Sequence, residues 1–113
     1  MSKKLLIVDD ETDIACFLKQ FCSERGHEVS TANDGLEALL MVIVNEYDIM
    51  ITNVKMPLID GIELLQMVKE IKNGMKVIIN SACHHREKEG LMYGAYAYIK
   101  KPSTLEQIEE LLE

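Results

Sequence analysis

Asp9 and Asp10 stand side by side directly after the apolar run "LLIV". Two adjacent carboxylates at the end of a buried strand repel each other unless a cation neutralises them. Magnesium is the natural partner, because it takes hard oxygen ligands in an octahedron and retains several waters. The same pair also suits a plainer task, capping the helix that follows and favouring its dipole. Three more polar residues end apolar runs of the same kind: Asn53 after "DIMIT", Ser81 after "KVIIN", and Lys101 after "AYIK", just before Pro102. Asn53 brings a carboxamide, which has no negative charge and whose nitrogen lone pair is delocalised into the carbonyl, so it is no nucleophile. Ser81 brings a hydroxyl and Lys101 an ammonium. Read singly, the first is a turn residue and the second one of two surface lysines before a loop.

A regular alternation must position these groups. "KLLIV", "HEVSTA", "DIMIT", "KVIIN" and "AYIK" read as strands and the longer segments between them as helices, which gives five βα units. The first helix spans roughly Thr12 to Arg25, with Ile14, Phe17, Leu18, Phe21 and Cys22 at helical spacing and Gly26 as its stop. The second runs from about Gly35 to Val44 and is apolar along most of its length, and the third from Ile62 to Ile71, ending at the turn pair Asn73 and Gly74. The fourth segment, "HHREKEGLMYG", has an internal glycine and few apolar residues before Leu91, so it predicts a short or mobile helix. The last helix follows Ser103, with Leu105, Ile108, Leu111 and Leu112 on one face, and its shortness hints at truncation. Strands as apolar as "LLIV" and "DIMIT" suit a parallel sheet buried on both faces, whereas the alternating "HEVSTA" suits an edge. The expected class is α/β, a doubly wound sandwich.

A chain of 113 residues with 48% hydrophobic content predicts one domain over residues 1–113 with one core. No apolar run approaches the roughly 18 residues of a membrane span, and "MSKK" leads straight into the first strand without a signal segment. A soluble, cytoplasmic protein is expected. Twelve basic residues against 19 acidic ones give a net charge of −7, which disfavours direct nucleic-acid binding. Cys16, Cys22 and Cys83 are odd in number and form no C-x-x-C pair, which argues against a disulfide framework or zinc site and for small, reduced apolar residues. His84 and His85 beside Cys83 lack the spacing of a closed metal site. His27 is expected in a turn.

Four motifs, "LLIVDDE", "NVKMPLIDG", "INSA" and "YIKKP", come in this order, each at a strand end. Together they resemble the receiver domain of bacterial response regulators, the phosphorelay modules of two-component signalling, from about Lys3 to the C-terminus. The resemblance implies a flavodoxin-like receiver fold with a five-stranded parallel sheet of order 2-1-3-4-5. Asp9, Asp10 and Asn53 then converge on one crevice at the carboxyl ends of the strands, with Ser81 and Lys101 reaching it from neighbouring strands. It further implies that Asp10 ligates Mg2+ directly, that Asp9 acts more through water, and that the Lys55 carbonyl adds an oxygen. Position 53 is then that of the acceptor aspartate, which attacks a phosphohistidine, while Lys101 pairs first with that carboxylate and then with the phosphoryl group. Ser81 matches the hydroxyl that moves toward a phosphoryl oxygen. Tyr98 matches the aromatic that rotates between outward and inward positions, although Tyr93 and Tyr96 lie close by and simple packing is an alternative for each. Met56, Pro57, Asp60 and Gly61 scaffold the loop after the acceptor strand. A cis peptide before Pro102 would aim the lysine into the crevice, though cis bonds are a minority even before proline.

The function so implied is that of a signalling switch, whose family members catalyse only their own phosphorylation and dephosphorylation. Its partners would be a sensor histidine kinase or phosphotransfer protein, and an effector domain or partner protein meeting the last two helices and last strand, Tyr98 included. Asn53 implies a form unable to accept phosphate there, with Tyr98 turned outward and a side-chain oxygen still able to touch metal. Retention of Asp9, Asp10, Ser81 and Lys101 favours an engineered aspartate-to-asparagine variant over a natural atypical receiver. Two other classes share parts of the pattern. A magnesium-dependent phosphohydrolase resembles D-x-D after the first strand, whereas this chain has adjacent aspartates and no cap domain. A flavin-binding protein needs a hydroxyl- and glycine-rich phosphate loop, whereas "VDDETD" repels a phosphate unless a metal intervenes.

Overall fold

Five apolar runs, each too short for a stable helix, pair as parallel strands between longer amphipathic segments. The computed structural model describes residues 2–113. Along the chain lie β1 (Lys4–Val8), α1 (Thr12–Glu24), β2 (Glu28–Ala32), α2 (Gly35–Val44), β3 (Ile49–Thr52), α3 (Gly61–Ile71) and β4 (Lys76–Ser81). A 3-10 turn over His84–Arg86 then leads into α4 (Glu87–Met92), β5 (Ala97–Lys100) and α5 (Leu105–Leu112). All four strand pairings are parallel and the order is 2-1-3-4-5, the doubly wound, flavodoxin-like arrangement expected. Among the described residues no helix is long and apolar enough to cross a membrane.

Alternation along each strand divides the core in two. Leu6, Val8, Met50, Val77 and Ile79 face α2 and α3, while Leu5, Ile7, Ile49, Ile51, Ile78 and Ile99 face α1 and α5. Each such fully buried side chain stabilises the fold by about 1.5–3 kcal/mol relative to exposure. The register brings the strands to a common end, with Val8 opposite Thr52, Thr52 opposite Ile79, and Ser81 opposite Lys100. Amides one residue beyond the strands extend the ladder: Asp9 N–H donates to the Ala32 carbonyl, Asn53 N–H to Val8 and Lys101 N–H to Ser81. The polar residues that follow each strand therefore lie along one edge.

The helices depart from the sequence reading in one respect. In α1 the buried stripe is Ala15, Leu18 and Cys22, flanked by partly buried Ile14 and Phe21, while Phe17 is 58% exposed. Successive residues step about 100° around the helix, which puts Phe17 well off the Ala15, Leu18 and Cys22 stripe. The helix stops at Gly26, which sits at φ +89° while its N–H donates to the Ser23 carbonyl and that of His27 to the Cys22 carbonyl, a Schellman arrangement. His27 occupies the turn as expected, its Nδ1 accepting from the Lys3 amide at 3.1 Å. In α2 the sheet side is Ala38 and Val42, and Leu36, Leu40, Ile43 and Val44 remain exposed. Of the three cysteines only Cys22 is buried; Cys16 is exposed and Cys83 intermediate.

The loop that carries Asn53 is fixed from both ends. Asp60 caps α3 by accepting the Glu63 amide at 2.8 Å, and Glu63 returns the bond to the Asp60 amide at 3.0 Å, a capping box. The first residue of α3, Gly61, donates its N–H to the Val54 carbonyl at 2.7 Å and lies so near Asn53 that a Cβ would run into the Asn53 backbone oxygen. Thr104 and Gln107 form a second capping box on α5, which buries Ile108 and Leu112. α4 is short, 6 residues, and has no side-chain cap. The Lys101–Pro102 bond is cis.

Gly61→Ala should therefore destabilise the domain by about 3 kcal/mol, because the atom it meets is backbone and cannot swing aside. Urea melts of the two forms measure this; a loss below about 0.5 kcal/mol would show that the loop and α3 are not locked together here.

Candidate functional site

The carboxyl ends of the strands enclose an open crevice of about 840 Å³, lined among others by Asp10, Asn53, Lys55, Ser81 and Lys101. Asp9 is buried, at 3% exposure, and is tied to the crevice through Lys101. Its two oxygens have separate partners: Oδ1 accepts the Glu11 amide at 2.9 Å, at the start of α1, and Oδ2 accepts the Lys101 ammonium at 3.4 Å. The bond to Glu11 closes a turn before α1 rather than capping it, since the N-cap of that helix is Glu11 and it has no side-chain cap bond. Asp10 is exposed and lines the crevice.

Asn53 is half-buried at the mouth of β3, and its amide is turned onto its own loop. Oδ1 accepts the Val54 N–H at 3.0 Å, and Nδ2 donates to the Lys55 carbonyl at 3.4 Å. The side-chain oxygen expected to reach a metal is therefore engaged by backbone, and the Lys55 carbonyl already accepts a hydrogen bond from the Asn53 amide. The resemblance gives Lys101 an acceptor carboxylate as its partner; with an amide at position 53, Lys101 pairs with Asp9.

Ser81 is buried, with its Oγ accepting the Cys83 amide at 3.0 Å. Tyr98 corrects an expectation outright. Its ring is turned inward, at 9% exposure, and its hydroxyl donates to the Cys83 carbonyl. Burial raises the pKa of its phenol, so it remains a donor. Room for the ring comes from Gly90 in α4, where a Cβ would stand 3.1 Å from Tyr98 Cδ2 and 3.1 Å from Ile79 Cδ1. Tyr93 and Tyr96, at 41% and 51% exposure, stay outside. The ring thus lies inward in the slot that Gly90 leaves, with a neutral amide at position 53.

Two features escaped the sequence reading. Arg86 reaches Asp60 Oδ2 at 3.2 Å and Glu89 Oε1 at 2.8 Å, tying the start of α4 to the loop before α3, and these bonds raise its pKa further. Buried Asn80 accepts from Ser103 Oγ at 3.0 Å, which anchors the loop after Pro102. Arg86 carried a faint signal in the i,i+3 spacing to Glu89; Asn80 carried none beyond its place in a buried strand.

With this geometry established, comparison with known proteins is informative. The family model for the response regulator receiver domain matches residues 5–113. Sporulation initiation phosphotransferase F of Bacillus subtilis is 31% identical over 115 residues, covering 100% of this chain and 93% of that protein. Response regulator MprA of Mycobacterium bovis is 31% identical over 96% of this chain, which spans only 48% of that longer protein. Among solved structures, the Francisella response regulator 1452 receiver domain superposes with a TM-score of 0.92 at 34% identity, covering 97% of this chain and 93% of that one. TrrA of Thermotoga maritima, solved in complex with Mg2+-BeF, gives 0.90 at 32% identity over 97% of this chain and 96% of its own. Motif order, strand order and these likenesses agree, and the chain belongs to the response regulator receiver domain family, the signalling switches of two-component systems.

Proposed function

We propose that this chain is a receiver module that takes no phosphoryl group at position 53, and whose partner face is set by packing rather than by phosphorylation. One observation carries the reading. Lys101 is committed to Asp9 while the Asn53 amide closes on its own loop, so the crevice is balanced without an acceptor carboxylate. The phosphodonor partner of such a module is a sensor histidine kinase or phosphotransfer protein, and the retained Asp9, Asp10, Ser81 and Lys101 favour an engineered aspartate-to-asparagine replacement. The effector domain or partner protein meets α4, β5 and α5, where Leu91, Met92 and Tyr96 are exposed around inward Tyr98.

A hard divalent cation fits this donor set, because open Asp10 stands beside buried Asp9 with a backbone carbonyl nearby. Asp10 directly and Asp9 through water would hold Mg2+, and Asn53 and the Lys55 carbonyl would join them once the Asn53 amide turned away from its own loop; the ion when bound would neutralise phosphoryl oxygens. Asn53 brings one negative charge fewer than aspartate, so affinity falls. Asp10 orients the cation, Lys101 supplies a fixed positive charge, and Ser81 offers its hydroxyl to a phosphoryl oxygen.

Three expected outcomes follow from these roles. Magnesium titration followed by amide chemical shifts should saturate, more weakly than in Asn53→Asp, and Asp10→Ala should lose the response; an unchanged Asp10→Ala curve would exclude this site. With Mg2+ and acetyl phosphate, Asn53→Asp should gain one acid-stable, base-labile acyl phosphate and the parent chain none of that kind. Intact-mass measurement reads both, and an unphosphorylated aspartate form would overturn the reading. Gly90→Ala should push the Tyr98 ring outward at a cost of about 1–3 kcal/mol; unchanged Tyr98 ring shifts would show that the slot does not hold it.

A further inference from the structure

The loop between β4 and α4 brings a second class of nucleophile to the same crevice, and we propose that His84 accepts a phosphoryl group on Nδ1, as a phosphoramidate. This rests on reading the crevice as a phosphoryl-transfer site, but it does not depend on residue 53.

His84 is exposed and lines the crevice together with Asp10, Ser81, Lys55 and Lys101. Its Nε2 lies 2.9 Å from the Lys101 carbonyl oxygen. A carbonyl can only accept, so Nε2 carries the proton, and in the neutral ring the lone pair is on Nδ1. The bond also fixes the plane of the ring and makes Nδ1 the better donor of electrons, as carbonyl partners do for metal-bound imidazoles. His85 is held differently. Both of its ring nitrogens lie 3.7–3.8 Å from Cys83 Sγ, and no carbonyl selects its tautomer.

The step balances without a general base. The Nδ1 pair forms the N–P bond while the bond from phosphorus to the donor's leaving oxygen or nitrogen breaks, its electron pair departing with the leaving group. Nε2 keeps its proton and its carbonyl partner throughout. Ser81 has no such route, since its hydroxyl must lose a proton and its oxygen is already occupied by the Cys83 amide. Lys55, which lines the crevice, adds a positive charge that favours a phosphoryl group, while Lys101 is paired with Asp9; with an amide at position 53 no acceptor carboxylate stands there to compete. A phosphoryl group on His84 would also load the residue next to Cys83, whose carbonyl holds Tyr98 and whose amide holds Ser81.

The test treats the full chain with potassium phosphoramidate or acetyl phosphate and Mg2+, alongside His84→Gln, His85→Gln and Asn53→Asp, and reads intact mass after acid and after base. We expect one phosphoryl group on the parent chain, lost in acid and kept in base, absent from His84→Gln and retained by His85→Gln. The opposite lability marks the acyl phosphate of Asn53→Asp. No gain on the parent while Asn53→Asp is phosphorylated overturns the His84 assignment and leaves the receiver reading intact. No gain on either form overturns both, and a gain that survives His84→Gln overturns the assignment to this residue.

Discussion

Charge balance at the ends of the parallel strands is the constraint on which the rest of the site depends. A carboxylate as buried as Asp9 is tolerable only with a positive group and a hydrogen-bond donor against it. The fold supplies both. The Glu11 amide arrives with the first turn of α1, and the Lys101 ammonium arrives from β5, bridging over the ends of the two strands between. Because the pair joins residues 92 apart in sequence, it exists only once the sheet has closed around it. Asn53 sits beneath this bridge as a neutral group that makes no claim on the lysine.

The loop after β4 joins the crevice to β5. Cys83 is its hinge point, giving its amide to Ser81 and its carbonyl to Tyr98. Neither bond uses the thiol, so the connection is a matter of backbone and tolerates many side chains. Gly90 is less replaceable. It is buried in α4 against Tyr98 and Ile79, and the space it leaves decides on which side of the strand the aromatic ring rests. Two small structural choices, one hinge and one missing Cβ, thus fix the shape of the α4–β5 face.

Much of the fold was legible because it is written in local pattern: short apolar runs for strands, the Asp60–Gly61 turn before α3, and Gly26 after α1. The convergence of Asp9, Asn53, Ser81 and Lys101 was also legible, since parallel strands end on one side. What escaped was whatever depends on shape in three dimensions. Phe17 follows Ile14 at helical spacing yet lies beside the Ala15, Leu18 and Cys22 stripe and stays outside. Apolar α2 carries too many candidates for periodicity to choose among, so Leu40 and Ile43 were indistinguishable from Ala38 and Val42. The direction of Tyr98 and the partner of Lys101 depend on a glycine in another element and on a neutral amide two strands away, and neither leaves a trace in its own segment.

The double use of Asp60 bears on how the molecule assembles. One oxygen of that carboxylate closes the first turn of α3, and the other receives Arg86 at the threshold of α4. A six-residue helix without a side-chain cap cannot nucleate alone, since the first turn fixes several residues for a single hydrogen bond. α4, the shortest of the described α-helices, therefore leans on the β3–α3 turn and its carboxylate for its start, so a change at Asp60 reaches two elements at once.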